Sequence, residues 1–154
     1  MTPNIKIFAD GADLATMREQ ARGDLVAGFT TNPTLMKKAG VVHYRQFATD
    51  VLRSVRGKPI SLEVLADDLA GMAREARALA SFGTNAVVKI PVTTSAGESA
   101  AGLVAELLAD GVSVNVTAVF TLAQIEGLCG AGAAGQPPQA VWPRKRAVAP
   151  RGAL

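Results

Sequence analysis

Cysteine, histidine and aromatic residues are all scarce in this sequence. Its 154 residues include one cysteine, one histidine and 5% aromatic residues. A single cysteine, Cys129, excludes an internal disulfide framework and a cysteine-rich metal site. The single histidine, His43, has no partner at ligand spacing, so we expect a surface residue rather than a metal ligand.

Long hydrophobic runs are also missing. No stretch approaches the roughly 18 apolar residues that a membrane-spanning helix requires. The N-terminal sequence MTPNIKIFAD reaches an acidic residue early and has no apolar signal core. With 49% hydrophobic and 19% charged residues, the composition is typical of a globular domain. We therefore expect a cytoplasmic protein without membrane contact.

Positive charge is concentrated near the C-terminus. Arg144, Lys145, Arg146 and Arg151 follow Leu128 in a segment that contains no Asp or Glu. Removing these four charges from the net charge of +3 leaves −1 for the rest of the chain. A nucleic-acid-binding face needs basic residues clustered on the folded part. We expect no nucleic-acid partner, and salt-sensitive DNA binding through the basic tail is the weakest alternative.

Short apolar runs alternate with segments of helical periodicity as far as Leu128. Because parallel neighbouring strands need crossover connections, this order predicts a parallel sheet covered by helices. The predicted strands are 5–9, 26–29, 60–65, 85–90 and 112–116, and the predicted helices are 13–22, 33–39, 44–55, 67–82, 95–109 and one from 120.

Two architectures fit this alternation, an open doubly wound sheet and a (β/α)8 barrel. The first turn, Asp10 to Asp13, lacks the G-x-G-x-x-G fingerprint of the dinucleotide-binding type. A complete barrel needs at least about 200 residues. The residues alone leave the two architectures open, and residues 1–128 are assigned as a partial barrel of about five βα units only through the family resemblance given below. Residues 129–154 are rich in Gly, Pro, Ala and Arg, and we expect them to be disordered.

Polar side chains stand at the C-terminal end of every predicted strand, where α/β folds build active sites. They are Asp10, Thr30, Thr31, Asn32, Glu63, Lys89, Asn115 and Thr117.

Lys89 is the most informative of these residues. A strand-end lysine ordinarily extends to solvent. Alternatively, an amine kept in a dry interior is neutral and attacks a carbonyl carbon. Asp10 and Glu63 are the carboxylates that could move protons, although Asp10 also fits a turn and Glu63 a partly wet sheet face. Asn32 fits a helix N-cap or a group that binds substrate hydroxyls.

Five segments together resemble the transaldolase family, in particular the small transaldolase and fructose 6-phosphate aldolase branch. They lie in order between residues 5 and 124, with natural spacing. The segments are IFADGAD, GFTTNPTLM, SLEVLADDLAGM, NAVVKIPVT and VSVNVTAVFTLAQ.

The resemblance implies a (β/α)8 barrel and a class I aldol mechanism without metal or other cofactor. Lys89 matches the lysine that forms the imine with the ketose donor. Asp10 matches the acid/base that takes the hydroxyl proton during carbon–carbon cleavage. Glu63 and Thr117 match residues that position a water for proton transfer at the imine.

Substrates and partners follow from the same resemblance. Asn32 and Asn115 match groups that hold the dihydroxyacetone moiety, and Thr31 is assigned to substrate binding with them. The implied substrates are fructose 6-phosphate, sedoheptulose 7-phosphate and aldose phosphate acceptors of the pentose phosphate pathway. The family tends to form homo-oligomers. Glu at position 63 is the transaldolase pattern, whereas direct aldolases tend to carry Gln, so we place transfer ahead of simple aldol cleavage.

The resemblance ends after Gln124. The family continues with three further βα units, including a serine and an arginine that bind the substrate phosphate, and nothing from Gly130 onward matches them. We hypothesise a frameshifted or prematurely ended gene product, testable by sequencing the encoding DNA, or a non-catalytic remnant that binds a partner. Without the remaining strands, we expect Lys89 to lie in water and turnover to be absent.

Overall fold

The computed structural model describes residues 5–132 of the chain. Within them, five strands alternate with six helices. The strands are β1 (Ile7–Asp10), β2 (Val26–Thr30), β3 (Ile60–Glu63), β4 (Ala86–Pro91) and β5 (Val114–Thr117), and the helices are α1 (Leu14–Ala21), α2 (Pro33–Lys38), α3 (Tyr44–Ser54), α4 (Leu69–Ala80), α5 (Ala101–Ala109) and α6 (Leu122–Gly132).

The five strands form one parallel sheet in the order β1-β2-β3-β4-β5. Each strand adds to the same side of its predecessor, and right-handed crossovers then place every helix on one face. A doubly wound sheet would instead reverse its strand order and carry helices on both faces. The strand order therefore resolves the two architectures in favour of the barrel type, of which these are five units.

The hydrophobic core lies between the sheet and the helices. Ile60, Leu62, Val88, Ile90 and Val114 are at most 1% exposed and belong to one cluster with apolar residues of the helices. These residues alternate along their strands with the ones that face the other side of the sheet. That second face carries the polar side chains at the strand ends.

Helix starts follow the local capping signals in the sequence. Asp13 caps α1 by accepting a hydrogen bond from Thr16 N at 2.8 Å. The hydroxyl of Thr16 also donates to Asp13, and these two bonds, the hydroxyl one above all, lower the pKa of the Asp13 carboxyl. Asn32 caps α2, accepting from Leu35 N at 2.9 Å, with Pro33 in the first turn. Both N-caps were expected from the sequence and are confirmed.

The predicted start of α5 at Ser95 is wrong. The chain after β4 first makes a tight turn closed by a bridge between Thr93 and Ser99, and the helix begins only at Ala101. Gly97 in this turn has φ +84°, a conformation that glycine adopts without strain. Helical periodicity in the sequence did not distinguish this turn from a first helical turn.

The boundary predicted at Leu128 falls inside α6, which continues to Gly132. The rest of the 129–154 segment lies outside the described residues, so its predicted disorder stays a prediction. Within residues 5–132, no helix combines the length and the apolar character that crossing a membrane demands.

Candidate functional site

The centre of the candidate site is an ion pair between neighbouring strands. Glu63 and Lys89 are register partners at the ends of β3 and β4, and Lys89 Nζ lies 3.2 Å from Glu63 Oε2. Lys89 Nζ also donates a hydrogen bond to Thr31 O at 3.0 Å. A carboxylate this close to an amine is placed to pass protons to and from a group bound at that nitrogen, which imine chemistry requires.

The lysine is sheltered although the described part of the chain contributes only five strands. Its side chain is 12% exposed, and that of Glu63 is 18% exposed. The expectation that Lys89 lies in water is therefore wrong. The reason is local: the pairing with Glu63 and Thr31 O holds the ammonium against the sheet, and this needs only β2, β3 and β4.

Asn115 and Thr31 join the same polar cluster through Ser61. Asn115 pairs in register with Lys89, and its Nδ2 donates to Ser61 Oγ at 3.3 Å. Thr31 is fully buried, and its hydroxyl donates to Ser61 O at 3.0 Å. The Thr31 side chain thus binds the main chain, while its carbonyl oxygen holds Lys89.

Asp10, Asn32 and Thr117 complete the predicted set at the same end of the sheet. Asp10 is exposed at the end of β1, paired in register with Thr30. Asp10 lies three strands away from Lys89, about 14 Å measured along the sheet. A substrate that contacts both side chains must therefore span the curved face of the sheet. Asn32 uses its Oδ1 as the α2 cap, and its Nδ2 donates to no residue between 5 and 132. Thr117 ends β5, and its carbonyl oxygen accepts from Val92 N.

Tyr44 is a residue that sequence reasoning missed. It begins α3, and its hydroxyl donates to the main-chain oxygen of Glu63 at 2.7 Å. Burial, reinforced by the negative charges of Glu63 and Glu75, raises the pKa of Tyr44 well above its ordinary value. No local signal identifies this contact, because the two residues are 19 positions apart.

Ser61 was also missed, although a signal for it exists. It lies two residues before Glu63 in an otherwise apolar strand, so the period of two places both side chains on one face. Its hydroxyl accepts from Asn115, and its main-chain oxygen accepts from Thr31.

Two carboxylates hold the loops that follow β3 and β4. Glu75 Oε2 accepts from Leu65 N at 2.6 Å and from Ala66 N at 3.0 Å. Asp67 accepts from Ser95 N at 2.8 Å and from the Ser95 hydroxyl, and these bonds lower the pKa of Asp67. The loop after Glu63 is thereby tied to the loop after Lys89.

The remaining reactive side chains lie apart from this cluster. His43 is exposed before α3 and makes no capping bond, and Cys129 is exposed on α6. Among residues 5–132, no group of three or more His, Cys, Asp or Glu side chains is placed to hold a metal ion.

Known proteins match this chain over most of its described length. The profile of the family described as transaldolase/fructose-6-phosphate aldolase matches residues 7–141. A probable transaldolase of Maridesulfovibrio salexigens is 41% identical over 76% of this chain and 52% of its own length. One of Heliobacterium modesticaldum is 40% identical over 84% of this chain and 56% of its own. The chain thus spans about half the length of these relatives.

A solved structure supports the fold. Dihydrodipicolinate synthase from Rhodopseudomonas palustris superposes with a TM-score of 0.55 over 84% of this chain and 52% of its own, at 17% identity. At that identity the likeness concerns the fold alone. Together with the strand order, it confirms the expected partial (β/α)8 barrel.

Proposed function

Because the chain belongs to the transaldolase/fructose-6-phosphate aldolase family, we propose that its strand-end cluster carries out Schiff-base aldol chemistry on sugar phosphates. The observation that carries the proposal is the sheltered Lys89 amine 3.2 Å from the Glu63 carboxylate. Imine formation needs a nucleophilic nitrogen and a group that moves protons beside it. These two side chains supply both.

The proposed reaction begins when the neutral Lys89 amine adds to the ketose carbonyl. Loss of water gives a protonated imine, which draws electrons from the bond between its α and β carbons. That bond breaks as the β-hydroxyl proton passes to Asp10, and an aldose phosphate leaves. The three-carbon enamine stays on Lys89. It then attacks an acceptor aldehyde, Asp10 returns the proton to the new hydroxyl, and water releases the product ketose phosphate.

The other residues act in binding and hydration. Glu63 and Thr117 position the water that enters and leaves at the imine carbon. Asn32 and Asn115 donate hydrogen bonds to the dihydroxyacetone hydroxyls, and Thr31 fixes the lysine through its carbonyl oxygen. With Glu rather than Gln at position 63, transfer between sugar phosphates in the pentose phosphate pathway is placed ahead of direct cleavage. A cytoplasmic location and homo-oligomerisation belong to this same proposal.

The test is reductive trapping with fructose 6-phosphate and borohydride, read out by peptide mass. We expect the adduct on the peptide that contains Lys89, and its loss in Lys89→Arg, because a guanidinium stays protonated and does not form the imine. Lys37→Arg, an exposed lysine on α2, is the matched control and keeps the adduct. An adduct on a different lysine, or none on Lys89, contradicts the assignment.

Adduct size tests the role of Asp10. Trapping before cleavage leaves six carbons on the lysine, and trapping after cleavage leaves three. The comparison is made in a version of the protein whose barrel is restored. There Asp10→Asn removes the base with little change in volume, so we expect the six-carbon adduct to accumulate and the cleavage rate to fall by about 10²–10⁴. An unchanged ratio of the two adducts would make Asp10 only a turn residue.

A further inference from the structure

A second cleft opens at the opposite end of the strands from Lys89. It is bounded by the end of α3, the segment before β3 and the residues that precede β4 and β5, and its volume is about 670 Å³. That volume is in the range of small-molecule sites. Three basic residues line the cleft, Arg53, Arg56 and Lys58, and no acidic residue does.

The two arginines have no role within the described structure. The side chain of neither arginine makes a hydrogen bond or an ion pair with any residue from 5 to 132, and both are exposed. In the adjoining cleft, by contrast, Arg77 is paired with Glu106 and with Asp110, the latter at 2.7 Å. The positive charge of the cleft that Arg53 and Arg56 line is therefore not neutralised by side chains of residues 5–132.

Helix capping does not account for these arginines. Cations at a helix C-terminus ordinarily interact with its free carbonyl groups. Here Asn85 takes that role: its Nδ2 donates to Val55 O at 2.9 Å and, at longer distances, to Leu52 O and Lys58 O. The side-chain hydrogen bonds to this segment thus come from Asn85, and although Arg53 lies in the last turn of α3, neither arginine side chain bonds to a carbonyl group within residues 5–132.

Lys58 holds the floor of the cleft in place. Its Nζ donates to Gly23 O and, at 2.7 Å, to Val26 O, which ties the segment before β3 to the start of β2. Asn85, the residue before β4, anchors the same segment. The backbone between the two arginines and β3 is therefore held from two sides, so the site is built before any ligand arrives.

We propose that this cleft binds a small organic polyanion that carries at least two phosphate groups, one engaged by each arginine. Guanidinium groups suit phosphate because they offer paired N–H donors in a planar fork. The site is distinct from the Lys89 cluster and does not depend on the proposed aldol chemistry. Its short extent favours a small molecule over a nucleic-acid strand, which needs a continuous basic surface.

The experiment is calorimetric titration of the full chain with inorganic pyrophosphate, without divalent cations. We expect Arg53→Gln and Arg56→Gln each to weaken binding about fivefold, the value of one unit charge about 4 Å away in water. Arg74→Gln removes the same charge from an exposed site on α4 outside the cleft and leaves the affinity unchanged. Unfolding midpoints without ligand verify that each variant folds like the parent.

Several outcomes overturn the proposal. One is that the parent chain does not bind pyrophosphate, and another is that all three variants lose the same amount of affinity. A third is that neither Arg53→Gln nor Arg56→Gln loses affinity, which would place the anion on the basic residues near the C-terminus or at Lys89. Equal affinity for inorganic phosphate and pyrophosphate contradicts a ligand held at two points. Tighter binding of a single-stranded oligonucleotide, lost in the same two variants, contradicts a small-molecule occupant.

Discussion

Replacing Tyr44 with phenylalanine tests how the candidate site is held together. Tyr44 is the only tyrosine in the chain, and its hydroxyl donates to Glu63 O at 2.7 Å. Tyr44→Phe removes this hydrogen bond and keeps the ring. Since a partly buried carbonyl oxygen loses a partner, we expect the free energy of unfolding at pH 8 to fall by about 1–2 kcal/mol.

The effect depends on pH in a defined direction. Burial and the charges of Glu63 and Glu75 raise the pKa of Tyr44 in the folded chain above the ordinary value of 10.0. The unfolded chain therefore loses the phenol proton first, and the stability conferred by the neutral phenol is complete below pH 10 and is lost as the pH rises above it. Proton linkage gives a loss of about 0.8 kcal/mol at pH 10.5 and about 1.4 kcal/mol at pH 11.

The assay is urea unfolding of both chains between pH 8 and pH 11, followed by circular dichroism. Lysine and arginine titrations are common to both chains and cancel in the difference, so the advantage of the parent chain should shrink to near zero by about pH 11. Because there is one tyrosine, the ultraviolet absorbance of tyrosinate reports on Tyr44 directly and should appear only with unfolding. A stability difference independent of pH, or tyrosinate absorbance in the folded chain near pH 10, would refute the reasoning.

Two further substitutions test the packing around the sheet. Gly28→Ala places a methyl group against the Phe8 ring and 2.8 Å from Pro59 O. We therefore expect the free energy of unfolding, measured in urea, to fall by about 1–3 kcal/mol. An unchanged unfolding midpoint would mean that the Phe8 ring and the strand shift to make room for the methyl group. Asp68→Ala removes the α4 cap, whose Oδ1 accepts from Gly71 N at 2.7 Å. We expect it to cost about 0.5–2 kcal/mol, with Asp68→Asn near neutral as the control; equal losses in both would assign the effect to charge and not to capping.

The secondary structure could be predicted from local patterns in most places. Every expected strand and helix between residues 5 and 128 is present, since apolar periodicity and capping residues act over a few positions. The exception, the start of α5, lies where a glycine turn and an antiparallel bridge between Thr93 and Ser99 compete with helical periodicity. The helix predicted from residue 67 begins at Leu69, because Asp67 ties two loops together and Asp68 caps α4.

The sequence alone determined which end of the strands carries the polar groups. In a parallel sheet the C-terminal strand ends share one edge, so the order of the residues along the chain already groups Glu63, Lys89 and Asn115. This grouping needs only the alternation of strands and helices and the positions of residues within them. The family resemblance came separately, from the five matching segments in which these residues lie.

Only the tertiary structure decided how the site is held and how sheltered it is. The contacts of Lys89 with Thr31 O, of Tyr44 with Glu63 O and of Asn85 with the end of α3 join residues 19 to 58 positions apart. Such contacts depend on strand register and helix packing, which no short stretch of sequence encodes. The same packing keeps Lys89 at 12% exposure in a five-stranded sheet, because its shelter comes from neighbouring strands that are already paired.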